Sequence, residues 1–127
     1  MNKIVKMPSI LIVDDNTQLR TLLRLQLKRL GCECDEAENG LLALQLVKEK
    51  HYSLILMDIA MPIMDGFEAT RKIREYQTQA KGQRTRIIAI TGQGDPQECI
   101  KRGMDAHLQK PVLMTTLTAL LHDWFGI

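Results

Sequence analysis

Five polar residues stand at the ends of short apolar runs, and their types point to one chemistry. Asp14 and Asp15 close "SILIVDD", Asp58 closes "LILMD", Thr91 closes "RIIAIT", and Lys110 follows "AHLQ". Three carboxylates, an ammonium and a hydroxyl suit phosphoryl transfer, provided the fold gathers them. At ~4 Å and an effective dielectric of ~20, one pair of like charges costs about 4 kcal/mol. Three acids together therefore need positive partners. Lys110 supplies one charge. A hard divalent cation, held by carboxylate oxygens, a backbone carbonyl and water, would supply the rest, and that ligand set suits Mg²⁺. Asp58 is then placed as a carboxylate nucleophile, with Lys110 and Thr91 clamping the phosphoryl oxygens. Taken singly, each residue has a plainer reading. Asp14-Asp15 can cap a helix, Thr91 is a good strand residue, and Lys110 is an ordinary surface lysine. Asp65-Gly66 is read only as a turn into a helix.

The five residues meet only if the strands they terminate lie parallel in one sheet. The pattern along the chain supports this. "SILIVDDN" (9–16) reads as a buried strand, and Leu19, Leu22, Leu23, Leu27 and Leu30 follow at helical spacing, closed by Gly31. "CECDEA" (32–37) alternates like an edge strand, Asn39-Gly40 reads as a turn, and 41–50 forms a second helix. "LILM" (54–57) is the next buried strand. A third helix runs from Gly66 to about Gln79, with Phe67, Ile73 and Tyr76 turned inward. "RIIAIT" (86–91) is another buried strand. "DPQECIKRG" (95–103) carries a helix start in Asp95, Pro96 and Glu98 and a stop in Gly103. "AHLQ" (106–109) is a short strand, and a last helix from about 112 to 125 packs Leu113, Leu117, Leu120, Leu121 and Trp124. Five strands alternating with five helices predict an α/β fold: a doubly wound parallel sheet covered on both faces, a three-layer αβα sandwich. In such sheets ligands bind at the carboxyl ends of the strands, where the winding reverses.

The bulk properties agree. The 127 residues suit one domain, with residues 1–8 as an N-terminal tail and 9–127 as the folded unit. A net charge of +2, spread along the helices, gives no argument for nucleic acid. The three cysteines, Cys32, Cys34 and Cys99, are odd in number and make no disulfide framework; reduced thiols in a cytoplasmic protein are expected. No signal peptide, membrane-length apolar run or internal repeat is visible.

"LIVDDN", "LILMDIAMPIMDGFEATRKIR", "IIAITG" and "GMDAHLQKPV" together resemble the receiver domain of the two-component response-regulator family, over Ser9 to Trp124. The resemblance implies a flavodoxin-like sheet of order 2-1-3-4-5. It implies that Asp58 accepts a phosphoryl group from a phosphohistidine on a histidine kinase or a histidine phosphotransfer protein. It further implies Mg²⁺ held by Asp15, Asp58 and the backbone carbonyl of Ala60, with Asp14 acting largely through water. Lys110 and Thr91 would bind phosphoryl oxygens, Gly92 would leave them room, and the Lys110–Pro111 peptide bond would be cis. The implied role is a signalling domain rather than an enzyme, one that promotes its own phosphorylation and dephosphorylation. The kinase or phosphotransfer protein is expected to dock beside Asp58 on the first helix, near Asn16 and Leu19.

The sequence also departs from the family pattern. Three residues before the lysine, where the family often has an aromatic that swings inward, stands His107. It is smaller and more polar, and histidine is a type of side chain that can change charge near neutral pH. A switch role for it is weighed evenly against an ordinary strand position. The stretch from Thr91 to Lys110 is about one helical turn shorter than the family's common form. Ala60 and Gln93 occupy positions that tune phosphate lifetime, and slow or intermediate self-dephosphorylation is expected.

Rival functions fit less well. A flavin carrier on this fold would find Asp14-Asp15 repelling its phosphate. An aspartyl-phosphate hydrolase would want an acid where Ala60 stands, and no G-x-x-x-x-G-K-[ST] run is present. A phosphorylation-independent docking module has no need of all five polar residues. Met1 and the short tails favour a stand-alone regulator over a fragment of a hybrid histidine kinase, and a homodimer is left open. Neither membrane nor nucleic acid is expected as a direct partner.

Overall fold

The structure is a computed structural model and describes residues 6–127; residues 1–5 of the expected tail lie outside the described residues. The elements in chain order are β1 (Ile10–Val13), α1 (Thr17–Arg29), β2 (Cys34–Ala37), α2 (Gly40–Glu49) and β3 (Leu54–Asp58), followed by α3 (Gly66–Ala80), β4 (Arg86–Thr91), α4 (Pro96–Lys101), β5 (Ala106–Gln109) and α5 (Met114–Phe125). The strands form one five-stranded sheet of order β2-β1-β3-β4-β5, with every neighbouring pair parallel. This is the flavodoxin-like arrangement that the family resemblance implied.

The two-residue period of the strands divides the core into two layers. Leu11, Val13, Ile55, Met57, Ile87 and Ala89 point to one face and pack with residues of α2, α3 and α4. Ile10, Ile12, Leu54, Leu56, Ile88 and Ile90 point to the other and pack with α1 and α5. All of β3 is buried, which is why its sequence is a continuous apolar run rather than an alternation. Each such aliphatic side chain contributes about 2 kcal/mol of transfer free energy on burial, so the central strands anchor the rim residues that follow them.

Three local expectations change. First, β2 begins at Cys34 rather than Cys32, because the Cys32 amide is spent on closing α1. Gly31, at φ 80°, donates to the Lys28 carbonyl and Cys32 to the Leu27 carbonyl, the paired bonds of a left-handed helix end. All three cysteines are free thiols. Second, Asn39-Gly40 is a helix start rather than a separate turn: the Asn39 side chain accepts from the Leu42 amide at 2.9 Å and Gly40 is the first residue of α2. Gly40 also lies so close to the Met64 carbonyl that a Cβ would meet it at 2.6 Å. Third, Leu22 and Leu113 are not core residues: they are 45% and 60% exposed. On α1 only Leu23 and Leu27, one turn apart, face the sheet squarely. Leu113 precedes α5 as its N-cap residue.

Candidate functional site

The carboxyl ends of β1, β3, β4 and the turn after β5 meet at one rim. Register accounts for this: Val13 lies beside Met57, Asp58 beside Ile90, and Thr91 beside Gln109. Asp14, Asp15 and Lys110 then follow directly on their strands. The Lys110 amide donates to the Thr91 carbonyl at 2.7 Å, tying the turn after β5 to the end of β4. The Lys110–Pro111 bond is cis.

The capping role that Asp14-Asp15 could have filled belongs to Asn16, whose side chain accepts from the Leu19 amide at 3.0 Å. Asp14 accepts from the Asn16 amide through Oδ1 at 2.9 Å, and its Oδ2 lies 3.4 Å from Lys110 Nζ. Asp58 Oδ1 accepts from Lys110 Nζ at 3.1 Å. One carboxylate oxygen from each of Asp14, Asp15 and Asp58 falls within 4.8 Å of the others. Asp14 and Asp58 are buried and Asp15 is exposed. The donor set is all oxygen, carries more negative charge than one lysine offsets, and opens to solvent through Asp15, all of which fit a hard divalent cation. Nearby, the Gly66 amide donates to the Ile59 carbonyl at 2.8 Å, while the Ala60 carbonyl accepts no hydrogen bond among the described residues.

The electrostatics reflect the shortage of positive charge. Burial pushes the Asp58 carboxyl up to about 6; the charge of Asp14 adds to this, the Lys110 hydrogen bond and charge pull against it, and Asp15 adds a little more. Burial works to lower the Lys110 ammonium, but its hydrogen bond to Asp58 and the charges of Asp58 and Asp14 outweigh that, and the net shift is upward. Lys110 is thus held as a cation.

Thr91 is buried, and its Oγ1 lies 2.7 Å from His107 Nε2. Gly92 is exposed, and a Cβ there would meet nothing within 4 Å, so the space beside Thr91 is open. Asp65 stays structural, as expected, capping α3 through the Glu68 amide at 2.8 Å.

Two supporting residues, Arg20 and Gly94, had escaped sequence reasoning, and a third, Gly66, had been read only as part of a turn into a helix. Arg20 donates to the Asp14 carbonyl at 2.7 Å while pairing with Glu36 at 3.2 Å, which fixes the backbone under the acid pair. Gly66 allows α3 to start against the end of β3, where a Cβ would collide with the Asp58 carbonyl. Gly94 lies on Thr91, and a Cβ there would sit 2.9 Å from Oγ1. Only Gly66, in its Asp-Gly pair, carried any local signal. A hollow of about 830 Å³, lined in part by Phe67, Arg71, Arg74 and Arg102, lies between α3 and the end of α4, away from these acids.

Residues 10–122 match the response regulator receiver domain family. The chain belongs to that family. Receivers of this family work in two-component phosphorelays. The receiver is 38% identical over 121 residues to the autoinducer 1 sensor kinase/phosphatase LuxN of Vibrio campbellii, covering 94% of this chain and 14% of LuxN. The chain therefore spans a small part of the length of such relatives. Among solved structures it matches a chain in the co-crystal structure of the Saccharomyces cerevisiae histidine phosphotransfer protein Ypd1 and the receiver domain of its downstream response regulator Ssk1. That match has a TM-score of 0.88 at 27% identity, over 98% of this chain and 92% of that one. It also matches the receiver domain of sensor histidine kinase PA1611 from Pseudomonas aeruginosa, which has a magnesium ion coordinated in its active-site cleft. Here the TM-score is 0.81 at 34% identity, over 96% of this chain and all of the other, 100%. Among the described residues no helix is long and apolar enough to cross a membrane.

Proposed function

We propose that the receiver accepts a phosphoryl group on Asp58 from a phosphohistidine of a partner protein. The observation that carries this reading is the rim itself: a buried Asp58 within 4.8 Å of two more acids and 3.1 Å from Lys110 Nζ. In the transfer, an Asp58 carboxylate oxygen attacks phosphorus, the new O–P bond forms and the P–N bond to the partner imidazole breaks. The imidazole leaves with the electron pair and takes up a proton. Lys110 stays protonated throughout and holds a phosphoryl oxygen, and Thr91 donates its hydroxyl hydrogen to another.

Asp14, Asp15, Asp58 and the Ala60 carbonyl would hold Mg²⁺, in keeping with the magnesium in the PA1611 receiver. Bound there, the ion supplies charge that offsets the phosphoryl oxygens. Gly92 leaves the entry open. Ala60 and Gln93 present no acid beside the acyl phosphate, which supports slow or intermediate loss of the group. On this reading the receiver is a signalling component that assists its own phosphorylation rather than an enzyme with a separate substrate.

The partner's approach is supported by an apolar collar on the same rim. Leu19, Leu22 and Pro111 line a small hollow with Asp14 and Lys110. Pro111 and Leu113 line the next one with Lys110. Leu22 at 45%, Leu113 at 60% and Ile63, in the loop after Asp58, at 76% exposure would be covered by a docked protein. A histidine phosphotransfer protein or kinase domain presenting a phosphohistidine beside an apolar helix face fits this collar, and the co-crystal structure named above pairs a histidine phosphotransfer protein, Ypd1, with another receiver.

The test is intact mass after incubation with Mg²⁺ and a small acyl-phosphate donor. One phosphoryl group should be added to the wild type and none to Asp58→Asn or to an EDTA-treated sample. Equal labelling of Asp58→Asn would overturn the assignment.

A further inference from the structure

The acceptor reading leaves His107 without a task, yet its ring makes the one side-chain hydrogen bond that Thr91 has among the described residues. The placement follows from the sheet. Ala89 lies beside His107 and Thr91 beside Gln109, so His107 and Thr91 are diagonal neighbours. Ala89 belongs to the core layer on the α4 side, and Thr91, two residues on, points the same way. A ring at position 107 spans the diagonal, and Nε2 comes to 2.7 Å from Oγ1.

A threonine hydroxyl has one hydrogen to give and two lone pairs to receive with. A phosphoryl oxygen only accepts, so Thr91 can bind it only by spending its hydrogen. Two arrangements satisfy the 2.7 Å distance. If Nε2 is bare, Thr91 donates to the ring and has nothing left for the phosphoryl group. If Nε2 carries hydrogen, His107 donates to Thr91, and the hydroxyl hydrogen is free to point at Asp58. Only the second is compatible with a phosphorylated site, and it forms a chain, His107 N–H to Thr91 O–H to phosphoryl oxygen. Each bond in such a chain polarises the next. Gly94 leaves the Thr91 hydroxyl room that a Cβ would fill, at 2.9 Å from Oγ1.

We propose that His107 is a positioning residue for phosphoryl recognition, donating from Nε2 to Thr91 Oγ1 so that the Thr91 hydrogen is directed at the group on Asp58. The proposal rests on the acceptor reading of Asp58. It assigns the polar ring a part that a phenylalanine of the same shape could not play.

The experiment uses beryllofluoride with Mg²⁺ as a phosphoryl mimic, its binding followed by fluorine NMR and the imidazole nitrogens by nitrogen-15 NMR. At saturation His107 Nε2 should carry hydrogen; a bare Nε2 overturns the proposal. His107→Phe should weaken beryllofluoride binding by about threefold to tenfold, the worth of one hydrogen bond. His107→Gln, whose amide can donate, should recover part of the loss. In a Thr91→Val background the same His107→Phe change should have no effect, because the pair act as one unit. An equal loss in both backgrounds would make His107 a packing residue and overturn the proposal. Absence of any bound fluorine signal in the wild type would overturn the acceptor reading, and this proposal with it. A normal wild-type signal with an unaffected His107→Phe would overturn this proposal alone.

Discussion

Asp105 and Asp58 stand at opposite ends of the same parallel sheet, and the chain treats them in opposite ways. Asp105, just before β5, is surrounded by donors: Arg74 at 2.9 Å, the Ile87 amide at 2.8 Å, and Arg84. Arg74 in turn donates to the carbonyls of Gly103 and Thr85. Gln77 and Thr85 bond to each other at 2.6 Å, and the Thr85 hydroxyl donates to the Tyr52 carbonyl at 2.7 Å. That end is closed: its acid has more partners than it needs, all from the chain itself. At the other end Asp14, Asp15 and Asp58 cluster together, and the one lysine there pairs with Asp14 and Asp58 only. The same fold that satisfies one acid fully leaves three underpaired. On the acceptor reading proposed above, that shortage is what a cation and a phosphoryl group would meet.

The comparison can be broken or sharpened by substitution. The largest expected effect is at the closed end. Asp105→Asn leaves the half-buried Arg74 without its counter-charge and should destabilise the fold by about 3 kcal/mol, read by urea denaturation. Most of that loss should come from Arg74, because Arg84 is exposed and its pair is worth little. No loss would mean that the two ends are alike after all.

At the open end the missing charge can be supplied. Mg²⁺ at about a hundred times its dissociation constant should stabilise the wild type by about 2.7 kcal/mol. The increment should shrink in Asp15→Asn and be unchanged in Asp105→Asn. Thermal melts with and without the ion decide this.

Removing the buried acid should help the metal-free fold. Asp58→Asn is expected to stabilise it by about 2–3 kcal/mol above pH 7. The sign follows from the raised carboxyl: the folded chain holds the Asp58 proton up to about 6, whereas an unfolded aspartate releases it near ~3.9. Asp58 therefore costs nothing below pH ~4, and the wild type loses stability relative to Asp58→Asn as pH rises through about 4 to 6. Denaturation midpoints of both proteins across that range measure it, and parallel curves would refute the charge shortage. The smallest effect separates two glycines. Gly92→Ala should change stability by less than about 0.5 kcal/mol, since a Cβ there meets nothing. Gly94→Ala should cost at most about 1 kcal/mol, but should slow phosphoryl acceptance by shifting Thr91.

Much of this was legible in the sequence. The β4 boundaries, Arg86–Thr91, agree to the residue because an isoleucine-rich apolar run with a polar residue at each end marks a strand buried on both faces. The start of α4 was equally readable, with Asp95 accepting from the Gln97 amide at 2.9 Å and Pro96 following. Cys32 misled because its backbone was claimed by the end of α1. Leu22 misled because helical spacing cannot separate a leucine facing the sheet from one a hundred degrees round the helix, and Leu113 because α5 begins one residue after it. At the rim, the residue types named the candidates, but Arg20 gave no sign, since its contact is with a carbonyl that any residue at position 14 would carry.

The sequence by itself determined the alternation of strands and helices, the parallel sheet, and the five polar residues that end its strands. Those features rest on hydrophobic period and capping, which act over a few neighbouring residues. Only the tertiary structure decided that Lys110 is divided between Asp58 and Asp14, that Asp58 is buried with too little positive charge, and that His107 reaches Thr91. These depend on register and on distances of a few ångströms between residues remote in the chain, and no local pattern encodes a through-space distance.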